Sequence, residues 1–120
     1  MSRRAERVAE ELREEVARLI ASGLKDPRIG FITVTRVTVT DDLRTAHVSV
    51  GVLGDQGQRD KSLAGLRQAS GFMRRELGRR LRLRHTPELL FHYDTGLDAS
   101  DRVERLLREV SPPAKAGEDE

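Results

Sequence analysis

The chain contains no cysteine, which excludes disulfides, thiolate metal ligands and thiol nucleophiles and fits a reducing compartment. It also lacks tryptophan, and its aromatics are limited to Phe31, Phe72, Phe91 and Tyr93. With no Arg/Lys-Gly-Phe motif, splayed bases stacking on an aromatic sheet, as in RNA recognition motifs or cold-shock barrels, are not expected. Recognition through backbone and shape stays open. No apolar run approaches the length of a bilayer span, and the Met-Ser-Arg-Arg-Ala-Glu start lacks the apolar centre of a signal peptide. The expected location is cytoplasmic, with no membrane role. Lysine is scarce too: of 22 basic residues only Lys25, Lys61 and Lys115 are lysine. An arginine bias of that kind can reflect genome composition, so position on a face is better evidence than number.

What the chain does have is one domain's length, 120 residues, enough to bury roughly two thirds of its unfolded surface. The net charge is only +2, but it is unevenly placed. Five glutamates lie before Ser22 and the chain ends Gly-Glu-Asp-Glu, whereas seven arginines (67, 74, 75, 79, 80, 82 and 84) face one acid, Glu76, between Arg67 and Arg84. At helical spacing, Leu66, Ser70, Met73, Leu77 and Leu81 share one side, and Arg67, Gly71, Arg74, Arg75, Gly78 and Arg82 fall largely on another. Such a stripe suits phosphates. Two glycines inside it imply a helix break, close approach of a ligand backbone, or close packing of another element.

Apolar periodicity predicts a first helix over 2–21 with Ser2 as N-cap and a stop at Ser22-Gly23. Residues 31–40 read as a strand whose alternation slips at Arg36, which predicts a bulge. Asp41-Asp42-Leu43-Arg44 reads as a hairpin turn into a period-two strand through Ala46, Val48, Val50 and Val52. A polar loop over 54–59 then leads to Asp60, the expected N-cap of the arginine-rich region, which is expected to divide into two helices at Ala69-Ser70-Gly71. Thr86-Pro87 enters a last strand over 88–93, and a closing helix carries Val103, Leu106, Leu107 and Val110. Residues 1–110 are thus the expected domain and 111–120 a disordered acidic tail. The expected class is α+β: a three-stranded mixed sheet with helices packed on one face.

Catalytic motifs are not evident. His47, His85 and His92 have no helix-spaced ligand partners, and there is no Walker-type phosphate loop, His-Glu-x-x-His motif or Gly-x-Ser-x-Gly elbow around Ser70. His47 and His92 approach each other if their strands are neighbours, more simply as a structural pair than as ligands. Asp94, Asp98 and Asp101 read either as a cation cluster or, more simply, as a strand end and a helix start. No enzyme activity, metal or cofactor is expected.

Two helices meeting at a small-residue break, after a helix and a hairpin and before a strand, resemble a K-homology domain of type II. Its usual Gly-x-x-Gly loop is replaced here by an Ala-x-Gly kink at Ala69, Ser70 and Gly71. That departure resembles the ribosome-binding factor A family, as do Asp26-Pro27-Arg28-Ile29, Asp42-Leu43 with Ala46-x-Val48, Arg74-Arg75-x-Leu77-Gly78 and, most specifically, Arg84-x-Thr86-Pro87-Glu88-Leu89-x-Phe91. The likeness covers 4–107, with Ser49 and Gly96 as mild departures. It implies a non-enzymatic factor that binds the free, immature 30S ribosomal subunit and 16S rRNA. It also implies action late in maturation near the neck, assistance to 16S rRNA 5′-end processing, support of growth in the cold, and departure before translation. The expected RNA-binding residues are Lys61, Arg67, Arg74, Arg75, Arg79, Arg80, Arg82 and Arg84, with the kink admitting the RNA backbone to a monomeric protein. The alternative is an adaptor whose basic face docks an acidic protein without touching RNA.

Overall fold

A computed structural model describes residues 1–94. The expected closing helix, the 1–110 boundary and the acidic tail lie outside the described residues. Within them the order is α1 (Arg3–Ala21), β1 (Ile32–Val39), β2 (Thr45–Val52), α2 (Gln56–Leu81) and β3 (Glu88–Tyr93).

Helix α1 forms where the periodicity places it. The Ser2 hydroxyl accepts from the Ala5 N–H at 3.1 Å, satisfying one of the orphan donors of the first turn. Ala5, Val8, Ala9, Leu12, Val16 and Leu19 make one buried stripe. After Ser22 the chain turns at Gly23, whose φ of +104° is open to glycine at little cost.

The sheet has strand order β1-β2-β3, with β1 and β2 antiparallel and β2 and β3 parallel. It is therefore mixed, as expected from the long crossover through α2. The slip in β1 is a real irregularity: Val34 pairs with Val50 and Arg36 with Ser49, leaving Thr35 as the extra residue. Its hydroxyl oxygen lies 3.1 Å from the Ser49 carbonyl and 2.6 Å from an Asp94 carboxylate oxygen, so the polar group exposed by the bulge is engaged. Asp94 is thus tied to the strand end.

Ala46, Val48 and Val50 of the central strand are fully buried beneath α1 and α2, together with Leu12, Val16, Leu66, Met73, Leu77 and Phe91. Helix α1 lies mainly over β1 and α2 over β3, both on one face of the sheet.

Two expectations about α2 are corrected. It starts earlier, capped by Asp55, whose carboxylate accepts from the Gln58 N–H at 2.9 Å, and the expected cap Asp60 sits inside the helix accepting from the Gln56 side chain at 2.9 Å. It also does not divide: a single helix of 26 residues runs through Ala69-Ser70-Gly71. Nothing there forces a break. Gly71 does not adopt a positive φ, and the Ser70 hydroxyl folds back onto the Arg67 carbonyl at 2.9 Å, which a helix tolerates.

Two other glycines of α2, Gly65 and Gly78, let the helix lie close to its neighbours. A Cβ on Gly65 would stand 2.7 Å from Ile29 Cγ1, and one on Gly78 2.6 Å from Thr86 Oγ1. Gly71 differs, since its Cβ would meet only an Arg75 guanidinium nitrogen at 3.8 Å.

The loop before β1 is latched to the first half of α2. Asp26 holds Arg28 through both carboxylate oxygens, and Arg28 donates onward to Gln68 Oε1 at 2.7 Å. The Arg28 hydrogen bonds hold the Asp26 carboxyl at about 2, below the usual carboxylate range. Buried Ser62 receives the Gly30 N–H at 3.1 Å.

Candidate nucleic-acid interface

The long α2 presents an exposed line of Lys61, Ala64, Gln68, Gly71, Arg75 and Arg79, continued past its C-terminus by Arg82. Lys61 stands fourteen residues before Arg75, about 21 Å along the axis, so it belongs to the far end of this line and not to the arginine cluster. Phe72, beside Gly71, is 47% exposed, an aromatic face at this surface that charge patterning had no means of singling out.

The eight predicted basic residues separate into two kinds. Arg67 donates to the Phe91 carbonyl at 3.0 Å and Arg74 Nε to the Thr86 carbonyl at 2.9 Å, both fastening α2 to β3 and its entry. Arg79 pairs with Glu76, and Arg80 lies 3.5 Å from Glu15 and 3.8 Å from Glu76. Arg79 and Arg80 also complement the negative end of the helix dipole. Lys61, Arg75, Arg82 and Arg84 are exposed and have no ion pair or hydrogen bond among the described residues. Exposed ion pairs contribute about 0–1 kcal/mol, so Arg79 can exchange Glu76 for a phosphate at small cost.

Tertiary structure adds residues that α2 periodicity does not contain. Arg4 from α1 and Arg44 from the β1–β2 turn converge with Arg74, Arg84 and His85 around a cavity of about 660 Å³. A more open trough along Arg74, Arg75, Glu76, Gly78, Arg79 and Arg84 shares Arg74, Arg84, His85 and Thr86 with that cavity, making one predominantly basic surface. In the sequence Arg4 stood out only as the first position of the stretch that resembles the family, and Arg44 only as a turn residue.

The histidines do not belong to this surface as a group. His47 Nδ1 and His92 Nε2 lie 3.0 Å apart on the sheet face away from the helices, their rings stacked with centroids 5.2 Å apart. Partial desolvation, then the charges of His47 and Arg67, push the His92 imidazole below its ordinary value. Among the described residues no three His, Asp or Glu side chains gather in a metal-binding group, and no helix is long and apolar enough to cross a membrane.

A helix, an antiparallel hairpin, a long crossover helix and a third strand parallel to the second define an α+β domain of the K-homology-like class. Comparison with known proteins narrows the class. The chain belongs to the family described as ribosome-binding factor A, whose sequence profile matches residues 4–107. It is 49% identical over 111 residues to ribosome-binding factor A of Desulforamulus reducens, covering 92% of each chain. It is 50% identical over 117 residues to that of Desulfitobacterium hafniense, covering 98% of this chain and 94% of the relative. Among solved structures, the crystal structure of ribosome-binding factor A from Thermus thermophilus superposes with a TM-score of 0.65 at 27% identity, over 74% of this chain and 94% of that one. A homology model of the Thermus thermophilus factor, as fitted into a cryo-EM map of its 30S complex, matches with a TM-score of 0.59 at 29% identity, over 70% and 88% of the two chains.

Proposed function

We propose that this protein is a non-enzymatic assembly factor of the cytoplasm that binds the free, immature 30S subunit as a monomer. Its contact with 16S rRNA runs along the exposed line of α2 and the arginine cluster at its C-terminal end. The observation that carries this reading is the set of exposed guanidinium groups, Arg75, Arg82 and Arg84, without partners among the described residues beside a basic trough. Family membership and the 30S complex of the Thermus thermophilus relative support it. Assistance to 16S rRNA 5′-end maturation belongs to the same proposal and rests on the family resemblance. In this reading Arg75, Arg79, Arg82 and Arg84 hold phosphates, Arg67 and Arg74 first hold β3 in place, and the bare helix surface at Gly71 lets the RNA backbone come close.

Co-sedimentation with immature small subunits tests the proposal. With about four to six phosphates neutralised, log affinity should fall with log potassium concentration at a slope of roughly −3 to −5. Arg75→Glu with Arg84→Glu should reduce binding by about a hundredfold or more while circular dichroism stays native, because neither side chain supports the fold. A slope near zero, or full affinity in the double variant, rejects the electrostatic interface and favours an adaptor docking a protein.

A further inference from the structure

We infer that the cavity between α1, the β1–β2 turn and the α2–β3 connection receives one unstacked nucleotide of a bound RNA single strand. The inference deepens the rRNA-binding proposal and rests on it.

The cavity's walls are of two kinds. Val8, Leu43, Leu83 and Pro87 supply apolar surface, and Arg4, Arg44, Arg74 and Arg84 supply four positive charges against the carboxylates of Asp42 and Glu88. Asp42 is already committed to the turn, accepting from the Thr40 hydroxyl at 2.6 Å and the Arg44 N–H at 3.1 Å. A site for phosphate alone would need the charges but not the apolar wall. The volume of about 660 Å³ falls in the range of small-ligand pockets, roughly 300–1,000 Å³. A nucleotide uses both walls, since its base can lie against apolar side chains and guanidinium planes while its phosphate takes the remaining guanidinium. In a chain so poor in aromatics, arginine planes are the available stacking groups.

Backbone conformation points to the same place. Among the described residues, the non-glycine residues with positive φ are Leu43, at 62°, and Arg82, at 53°. One lines the cavity and the other precedes its wall residue Leu83. Left-handed conformations cost a side-chain-bearing residue free energy, and both turns carry that cost at the rim of one cavity. The trough along Arg75 and Arg79 shares Arg74, Arg84, His85 and Thr86 with the cavity, so a strand can follow the helix with its phosphates and place one base in the cavity.

The test compares a single-stranded RNA hexamer with a blunt RNA duplex, whose bases are not free to leave the stack. Arg4→Ala with Arg44→Ala removes two exposed side chains that make no ion pair or side-chain hydrogen bond among the described residues. The variant should lose about tenfold in affinity for the hexamer, the equivalent of one stacked base, and at most about threefold for the duplex through weakened general electrostatics. On the unaltered protein, the hexamer should shift the amide resonances of Leu43, Arg44 and His85 saturably in NMR. Equal losses on both RNAs, or shifts confined to the exposed line of α2, overturn the inference. So does inorganic phosphate or a free mononucleotide shifting the same amides as tightly as the hexamer, or poly-glutamate showing the same loss. Failure of any of these arms while the unaltered protein still co-sediments with subunits removes the pocket and spares the rRNA interface. Failure of co-sedimentation removes both.

Discussion

The two halves of α2 put the same residue types to different uses. Near its start, Gly65 lets Ile29 close onto the helix, and Arg28 is spent on Asp26 and Gln68, so charge and glycine serve packing. Past its middle, Gly78 still packs on Thr86, but Gly71 meets only an Arg75 guanidinium nitrogen, and Arg75, Arg82 and Arg84 have no partners among the described residues. The difference teaches that neither an arginine nor a glycine marks an interface by itself. What marks it is the absence of a structural job.

That comparison breaks most visibly at Gly65. Gly65→Val should destabilise the protein by about 1–3 kcal/mol through overpacking against Ile29, read as a lower midpoint in denaturant. A variant melting like the parent would mean that the loop yields freely and the start of α2 is not tightly latched.

Arg82 sharpens the contrast at the other end. It occupies the left-handed position that glycine fills in many helix termini, so Arg82→Gly should raise stability by about 0.5–1 kcal/mol. Subunit affinity should fall as the charge is lost. A drop in stability would show that Arg82 does structural work not visible in its contacts.

Gly71→Ala tests the open middle of the helix. The new methyl meets nothing closer than 3.8 Å, so helix propensity alone should raise stability by up to about 1 kcal/mol. Affinity for the subunit should fall severalfold if the RNA backbone comes close there. Unchanged affinity would leave recognition to the arginines and exposed side chains alone.

The smallest effect comes from pH. The folded protein holds His92 below its ordinary 6.5, so the neutral form is favoured and the contribution is intact above that value. It is lost as pH falls through the lowered folded value, and His92→Gln should remove this part of the slope. Asp26, at about 2 when folded against 3.8 otherwise, acts in a separate and more acidic window: its stabilisation is present above 3.8 and lost as pH drops toward 2. Midpoints in urea across both windows, with His92→Gln and Asp26→Asn, separate the two groups. A slope below pH 6.5 that survives His92→Gln would assign it to other residues.

Much of this architecture was legible because it is written in short-range pattern. The Ser2 cap, the stripe from Ala5 to Leu19, the slip near Thr35 and the turn at Asp42 each depend on residues a few positions apart, where helix and strand periods leave direct traces. The start of α2 was misplaced because residues 56–59 are polar and leave no apolar period, so the first turn read as loop although Asp55 caps it. The break at Ala69-Ser70-Gly71 was inferred from glycine's low propensity and from the family resemblance. Packing of Leu66, Met73 and Leu77 on either side keeps the helix continuous, because buried apolar area outweighs a propensity cost of about 1 kcal/mol.

By itself, then, the sequence determined the first helix, the hairpin and the last strand, the absence of thiol chemistry, the concentration of arginine between Arg67 and Arg84, and the family, since all are local or compositional. Only the tertiary structure decided which of those arginines remain unspent. Arg67 and Arg74 meet carbonyls of Phe91 and Thr86 twenty-four and twelve residues away, and Arg80 meets Glu15 across sixty-five. Arg4 and Arg44 reach the same cavity as Arg84 from two other elements. No helical or strand period carries such distances, because it is burial of the shared core that brings these segments together.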